Sequence, residues 1–190
     1  MFAEEGYRAL TGGAGVVRRG DRGVLSVTGP DRLTWLQGLV TNDVVALPEG
    51  GICDAAYLTP QGRMITDLRV ANFADRALLD VPASLSESLH ARLEALLFSE
   101  EAHIADLSRQ LSIVDLHGPL APTLSSPFEL VRDDAFGVPG FSAFLVRADV
   151  DGFVRHLIVG VQDLAVRVGD HSGAEHRGDV LAASVAEVGD

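Results

Sequence analysis

Lysine is absent from this sequence. All 15 basic residues are arginines, set against 27 acidic residues, which gives a formal charge of -12 and an isoelectric point near 4.8. A surface of that sign repels phosphate backbones. The arginines are also scattered, with only Arg18 and Arg19 adjacent, so nucleic-acid binding is not expected. Cysteine occurs once, at Cys53, which rules out an internal disulfide and a cysteine-rich metal site and fits a reducing compartment. No apolar run approaches the roughly 18 residues of a bilayer span, so no membrane association is expected. The opening MFAEEGYRAL is acidic and lacks the basic-then-apolar order of a secretion signal, so a cytoplasmic location is expected. Missing too are a Gly-x-Ser-x-Gly elbow and a glycine-rich phosphate loop after a strand, which leaves hydrolase and nucleotide-binding readings without support.

What is present is enough for a core. With 190 residues, 47% of them hydrophobic, the chain can bury one domain or two small fused halves. GVLSVTG (23–29) alternates as a strand. Pro30 stands at a natural first helical position, with Leu33, Leu36, Leu39 and Val40 on one face. ICDAAYLT and RMITDLRVANF flank Thr59-Pro60-Gln61-Gly62, whose proline and glycine positions suit a type I turn, so a hairpin is predicted. ALLDVP (77–82) supplies another strand. Ser84 and Glu87 form a capping-box pattern ahead of an amphipathic helix through Leu85, Leu89, Leu93 and Leu96, ending near Phe98.

The second half reads similarly. AHIADL and QLSIVDLHG are strands meeting at Ser108-Arg109, and Gly118-Pro119 echoes Gly29-Pro30. FELVRD and AFLVRA follow as strands. Asp149 then caps a helix burying Phe153, Val154, Leu157, Ile158 and Val161. The order of strand, Gly-Pro, helix, strands and longer helix predicts an α+β fold of mostly antiparallel sheets, with an internal repeat of its two halves. Beyond about Gly160 the pattern fades. LAVRV is one candidate strand in what reads as a weakly structured tail, so the expected organisation is a domain over 1–160 and a tail over 161–190.

Several residues invite a chemical reading. His171 and His176, with Asp170, Glu175 and Asp179 nearby, are more simply a solvated loop than a metal site. Cys53 lies in an apolar strand with no basic neighbour, as a structural thiol does, and Trp35 reads as core packing.

Residues 24–70 carry a more specific pattern. Gly29 to Arg32, Trp35-Leu36-Gln37-Gly38, Thr41-Asn42-Asp43-Val44 and Leu58-Thr59-Pro60-Gln61-Gly62-Arg63, with Asp67-Leu68 beyond, fall in one family's order. That block resembles the folate-binding domain shared by the glycine-cleavage T-protein (aminomethyltransferase) and its YgfZ-type relatives linked to iron-sulfur protein maturation. FSEEAHIADLS, LHGPLA and GVPGFSAFLV resemble the same domain's second half. The resemblance implies two intertwined ββαβββα halves and tetrahydrofolate as cofactor. The partners it implies are a folate-type small molecule with iron-sulfur client proteins, or a barrel domain on a separate chain.

In aminomethyltransferases the strand after the turn reads Asp-Asp-Leu, and the first acid is catalytic. Here the triplet is Thr66-Asp67-Leu68. Period-two alternation places Met64, Thr66, Leu68 and Val70 on one face and Arg63, Ile65, Asp67 and Arg69 on the other. Thr66 therefore takes the catalytic place, and Asp67 is expected on an outer face, paired with Arg63 or Arg69. A hydroxyl can hydrogen-bond a ring nitrogen but cannot take up a proton at neutral pH. The expectation is a non-catalytic, YgfZ-like, folate-binding protein of iron-sulfur cluster assembly or repair, with Asn42, Asp43, Arg63, Thr66 and Asp67 as binding residues. The YgfZ-type Lys-Gly-Cys-Tyr segment is absent, and Val166-Arg167-Val168-Gly169 stands near the place of the family's Arg-Ile-Glu-x-Gly. A ligand-free interaction domain of the same descent is the alternative, and an aminomethyltransferase the third.

Overall fold

The computed structural model describes residues 11–121, 130–134, 137–159 and 169–170. Among these, the chain builds two five-stranded sheets. One joins β2 (Arg22–Thr28), β3 (Ile52–Leu58), β4 (Met64–Asn72), β5 (Arg76–Pro82) and β6 (His103–Asp106) in the order β3-β4-β5-β2-β6. The other joins β1 (Gly15–Arg19), β7 (Leu111–His117), β8 (Leu130–Arg132), β9 (Gly140–Val146) and β10 (Gly169–Asp170) in the order β10-β1-β7-β9-β8. All pairings are antiparallel except β1 with β10. The α+β architecture expected from the sequence is the one observed.

Among the described residues, three helices cover the outer faces of the sheets, so the layers run helix, sheet, sheet, helix. α1 (Arg32–Gln37) and α2 (Ser86–Glu94) place Trp35, Leu36, Leu89 and Leu93 over Leu25, Val27, Leu68, Val70, Leu79 and Val81 of the β3-β4-β5-β2-β6 sheet. α3 (Val150–Val159) packs Phe153, Val154 and Leu157 on Val16, Val114, Leu116, Ala143 and Leu145 of the other sheet. Between the sheets lie Val24, Ala71, Phe73, Leu78, Ile113 and Val131, with the Phe73 and Phe144 rings edge to face at 6.0 Å. Strands buried on both faces read as near-continuous apolar runs, which is why LLDV and SIVDL show little alternation.

Two strands cross over in a way the order of elements did not reveal. β1 pairs with β7, from the later part of the chain, while β6 leaves that part to pair with β2. The two Gly-Pro corners sit where these crossing strands enter. Gly29 has φ +105°, and a Cβ there would lie 2.1 Å from the Glu101 carbonyl oxygen, just ahead of β6. Gly118 has φ +136°, and a Cβ there would lie 2.4 Å from the Gly13 carbonyl oxygen, just ahead of β1. Each corner then donates a main-chain hydrogen bond to the same carbonyl, from Asp31 to Glu101 and from Leu120 to Gly13. Only glycine meets both demands, positive φ and close backbone approach.

Local expectations fared unevenly. A 3₁₀ turn over Ala83–Leu85 precedes α2, so the Ser84 capping box does not form. The N-cap is Leu85, without a side-chain bond. Ser86 and Ser88 instead donate back to the carbonyls of Ala83 and Leu85. α1 starts at Arg32, and the Asp31 carboxylate accepts from the Glu101 N–H. Trp35 is core, its indole N–H donating to the Leu96 carbonyl. Ile158 and Val161 as buried helix positions, the strand LAVRV, the tail's character and the His171/His176 cluster lie outside the described side chains. Within that stretch Gly169 and Asp170 pair in parallel with Val17 and Arg18.

Candidate functional site

The turn between β3 and β4 is built as its sequence dictates. The Gly62 N–H donates to the Thr59 carbonyl at 2.8 Å, and the Arg63 N–H donates to the Thr59 hydroxyl oxygen at 3.2 Å. Gly62 has φ +78°, a conformation that suits glycine at the close of the turn. Immediately after it the register slips. Leu58 pairs with Met64 but Tyr57 pairs with Thr66, which leaves Ile65 as the extra residue of a β-bulge. The simple alternation expected for β4 is corrected here: Met64 is 69% exposed, while Ile65 turns toward the core under α1 and α2. From Thr66 onward the alternation holds.

Thr66 accordingly faces inward beside Leu68 and Val70 and is 4% exposed. Its hydroxyl donates to the Asp67 carbonyl at 2.9 Å. Asp67 points to the opposite face, where its carboxylate is 68% exposed and accepts from the Arg22 guanidinium at 2.9 Å. The expected partners, Arg63 and Arg69, are not the ones found. Nor is this an outer face, because past Asp67 it is covered by the second sheet, and there Arg69 has better partners.

Asn42 and Asp43 lie along the open edge of β3. The Asn42 amide donates to the Asp54 carbonyl at 2.8 Å and its oxygen accepts from the Asp43 N–H. The Asp43 carboxylate accepts from the Ala46 N–H, and the Thr41 hydroxyl accepts from the Ala56 N–H. Gln37 caps the same segment by accepting from the N–H groups of Val44 and Val45. Residues 40–42 thus cover the β3 edge with a short antiparallel bridge of Val40 to Tyr57, a main-chain bond from Thr41 to Ala56, and the Thr41 and Asn42 side chains. Arg63 is exposed at the turn. The five residues divide among four places: the β3 edge (Asn42, Asp43), the helix-facing layer (Thr66), the opposite face of β4 (Asp67) and the turn (Arg63). Thr66 and Asp67, on opposite faces of β4, do not line one pocket together.

A polar constellation missed in the sequence occupies the space between the sheets. Arg69 of β4 donates to Asp80 of β5 at 2.6 Å and crosses to the other sheet to reach Asp133 at 2.7 Å, Asp115 of β7 at 3.2 Å and the Ser142 hydroxyl of β9 at 3.2 Å. Ser142 donates to Asp115 at 2.6 Å, Arg19 holds the far oxygen of Asp115 at 2.8 Å, and Arg22 donates to Asp80 and Asp67. Asp80 is fully buried, Asp115 and Asp133 are nearly so, and Ser142 is inaccessible. Burial alone would raise the Asp115 carboxyl, but the Arg69 charge, the Ser142 hydroxyl and Arg19 outweigh it and hold it below the ordinary carboxylate range. Burial would likewise lower the Arg69 guanidinium, and the carboxylates of Asp115 and Asp80 push it up instead. The sequence signal was available: Asp80 and Asp115 each interrupt an apolar strand run, as a buried, paired acid does.

Cys53 is half-buried in β3, and burial, with Asp54 second, pushes its thiol up, away from nucleophilic character. Among the described residues no three His, Cys, Asp or Glu side chains are grouped to hold a metal ion, and no helix is long and apolar enough to cross a membrane.

Comparison with known proteins agrees with the fold. An aminomethyltransferase T of the glycine cleavage system from Bartonella henselae superposes with a TM-score of 0.70 over 87% of this chain and 50% of its own, at 20% identity. An iron-sulfur cluster assembly factor IBA57 homolog, mitochondrial, from Mycosarcoma maydis is 30% identical over 136 residues, 63% of this chain and 34% of that protein. The tRNA-modifying protein YgfZ of Hamiltonella defensa is 30% identical over 165 residues, covering 80% and 48%. An aminomethyltransferase of Alkaliphilus oremlandii is 30% identical over 136 residues, covering 71% and 36%. The chain thus spans between a third and a half of these curated relatives. The GCVT N-terminal domain family matches residues 2–142, and with most of its length so matched, this chain belongs to that family.

Proposed function

We propose that the protein is a non-catalytic member of its family that acts in iron-sulfur cluster assembly or repair. One observation carries the reading: the inward-facing position of β4 holds a threonine, Thr66, whose hydroxyl is already given to a main-chain carbonyl, while Asp67 turns to the other face. Proton transfer to or from a substrate at that position needs a group that titrates near neutral pH, and a hydroxyl does not. The likeness to an IBA57 homolog, an iron-sulfur cluster assembly factor, supports the iron-sulfur part. In a strain lacking the gene, the activities of iron-sulfur enzymes fall relative to cluster-free enzymes, and both the wild-type gene and an Asp67→Asn copy restore them. Unchanged activities in the deletion strain contradict the proposal.

Tetrahydrofolate is the ligand that family membership suggests, held by Asn42, Asp43, Arg63, Thr66 and Asp67. The committed hydrogen bonds of Asn42, Asp43 and Thr66 favour the other reading, a ligand-free interaction domain, and that is the one adopted. Calorimetry with tetrahydrofolate at high micromolar concentration then shows no binding heat. A saturable heat that is lost in Thr66→Val restores the folate reading without reinstating catalysis.

A further inference from the structure

We infer that a small oxyanion site, unrelated to the Thr66 face, lies between the β1–β2 turn and the start of α3. An open cavity of about 220 Å³ is lined there by Arg18, Gly20, Ser112, Arg147, Val150 and Asp151. Its volume suits one phosphate or carboxylate group with a short tail, and is below the range of sites for drug-sized ligands. Among the described side chains, two guanidiniums and a hydroxyl line it against one carboxylate, on a chain of formal charge -12. Such a lining concentrates small anions that the rest of the surface repels.

Arg18 supplies the second observation. Its side chain is 32% exposed, although the Nε itself is buried and finds no acceptor among the described residues. One terminal nitrogen is paired with the Asp151 carboxylate, which is 65% exposed on the first turn of α3. Arg147 donates to the Ser108 carbonyl at 2.7 Å through one nitrogen of its fork, and a guanidinium has five N–H donors. Asp151 therefore stands where an external oxyanion would sit, an internal carboxylate that a ligand displaces. A phosphate monoester and a small dicarboxylate share the chemistry the two guanidiniums recognise.

The test is a titration of the ¹⁵N-labelled protein with inorganic phosphate, and separately with succinate, at ionic strength matched by sodium chloride. The readouts are the amide resonances of Gly20, Ser112 and Val150 and the Nε–H of Arg18. The expected result is a saturable shift at millimolar ligand with one of the two anions, which also identifies the source. Asp151→Asn tightens binding roughly threefold, the scale of one exposed ion pair, and Arg147→Gln weakens it. Arg18→Gln, checked for folding by its thermal midpoint, abolishes the shift. Linear, non-saturating drift with both anions overturns the site, as does unchanged or weaker binding in Asp151→Asn or an undiminished shift in Arg18→Gln.

Discussion

Two adjacent residues on β4 have opposite surroundings, and chemistry follows the surroundings. Thr66 is sealed under the helices; Asp67 is exposed and shares Arg22 with Asp80. Thr66→Asp puts a carboxylate on the apolar face without a basic partner, and a cost of about 2–4 kcal/mol is expected in urea unfolding. Asp67→Asn removes an ion pair whose acid is mostly in water, so a loss below about 1 kcal/mol is expected by the same measurement. Equal losses would mean that the two side chains are not on the faces described. The inward position of Thr66 was legible from period-two alternation alone. The partner of Asp67 was not, because Arg22 lies 45 residues away and neighbours in sequence were the only candidates that alternation offers.

At the scale of elements, glycines and bulges fix where strands begin. Gly29→Ala is both strained at φ +105° and blocked by the Glu101 carbonyl at 2.1 Å, so a loss of several kcal/mol is expected in denaturant melts. Gly62→Ala has open space around its Cβ and carries only the left-handed penalty, roughly 1–2 kcal/mol. A smaller loss for Gly29→Ala than for Gly62→Ala would contradict the corner geometry. Strand and helix existence was largely legible, since the β3–β4 turn, the ALLDVP strand and the α3 helix follow from turn residues and period. Element ends were not. The Ile65 bulge depends on cross-strand register, which a single strand's pattern does not carry. The 3₁₀ turn at Ala83–Leu85 depends on a main-chain bond from Ala83 to Asp21, a contact distant in sequence that overrode the capping-box pattern.

The whole molecule is held across its middle by Arg69. Treating its strand face as outer concealed this, because only the stacking of the second sheet shows that both faces of β4 are covered. Arg69→Met leaves Asp80, Asp115 and Asp133 without their shared cation, and a loss of about 3–5 kcal/mol at pH 7 is expected. The pH dependence follows from Asp115, whose folded carboxyl titrates below the ordinary range. Its contribution is complete above that range and is lost as pH falls through the folded value. Arg69→Met removes the largest of the influences that hold Asp115 low, so its carboxyl takes up a proton more readily and the gap between wild type and variant narrows from pH 7 to pH 4 in urea unfolding. A gap that widens on acidification would reverse the assignment. The central claim is that no acid stands where transfer chemistry needs one. Its most direct test is methylene-tetrahydrofolate formation from an aminomethylated carrier protein. No turnover above the uncatalysed background is predicted for the wild type, whereas turnover that disappears in Asp67→Asn would contradict it.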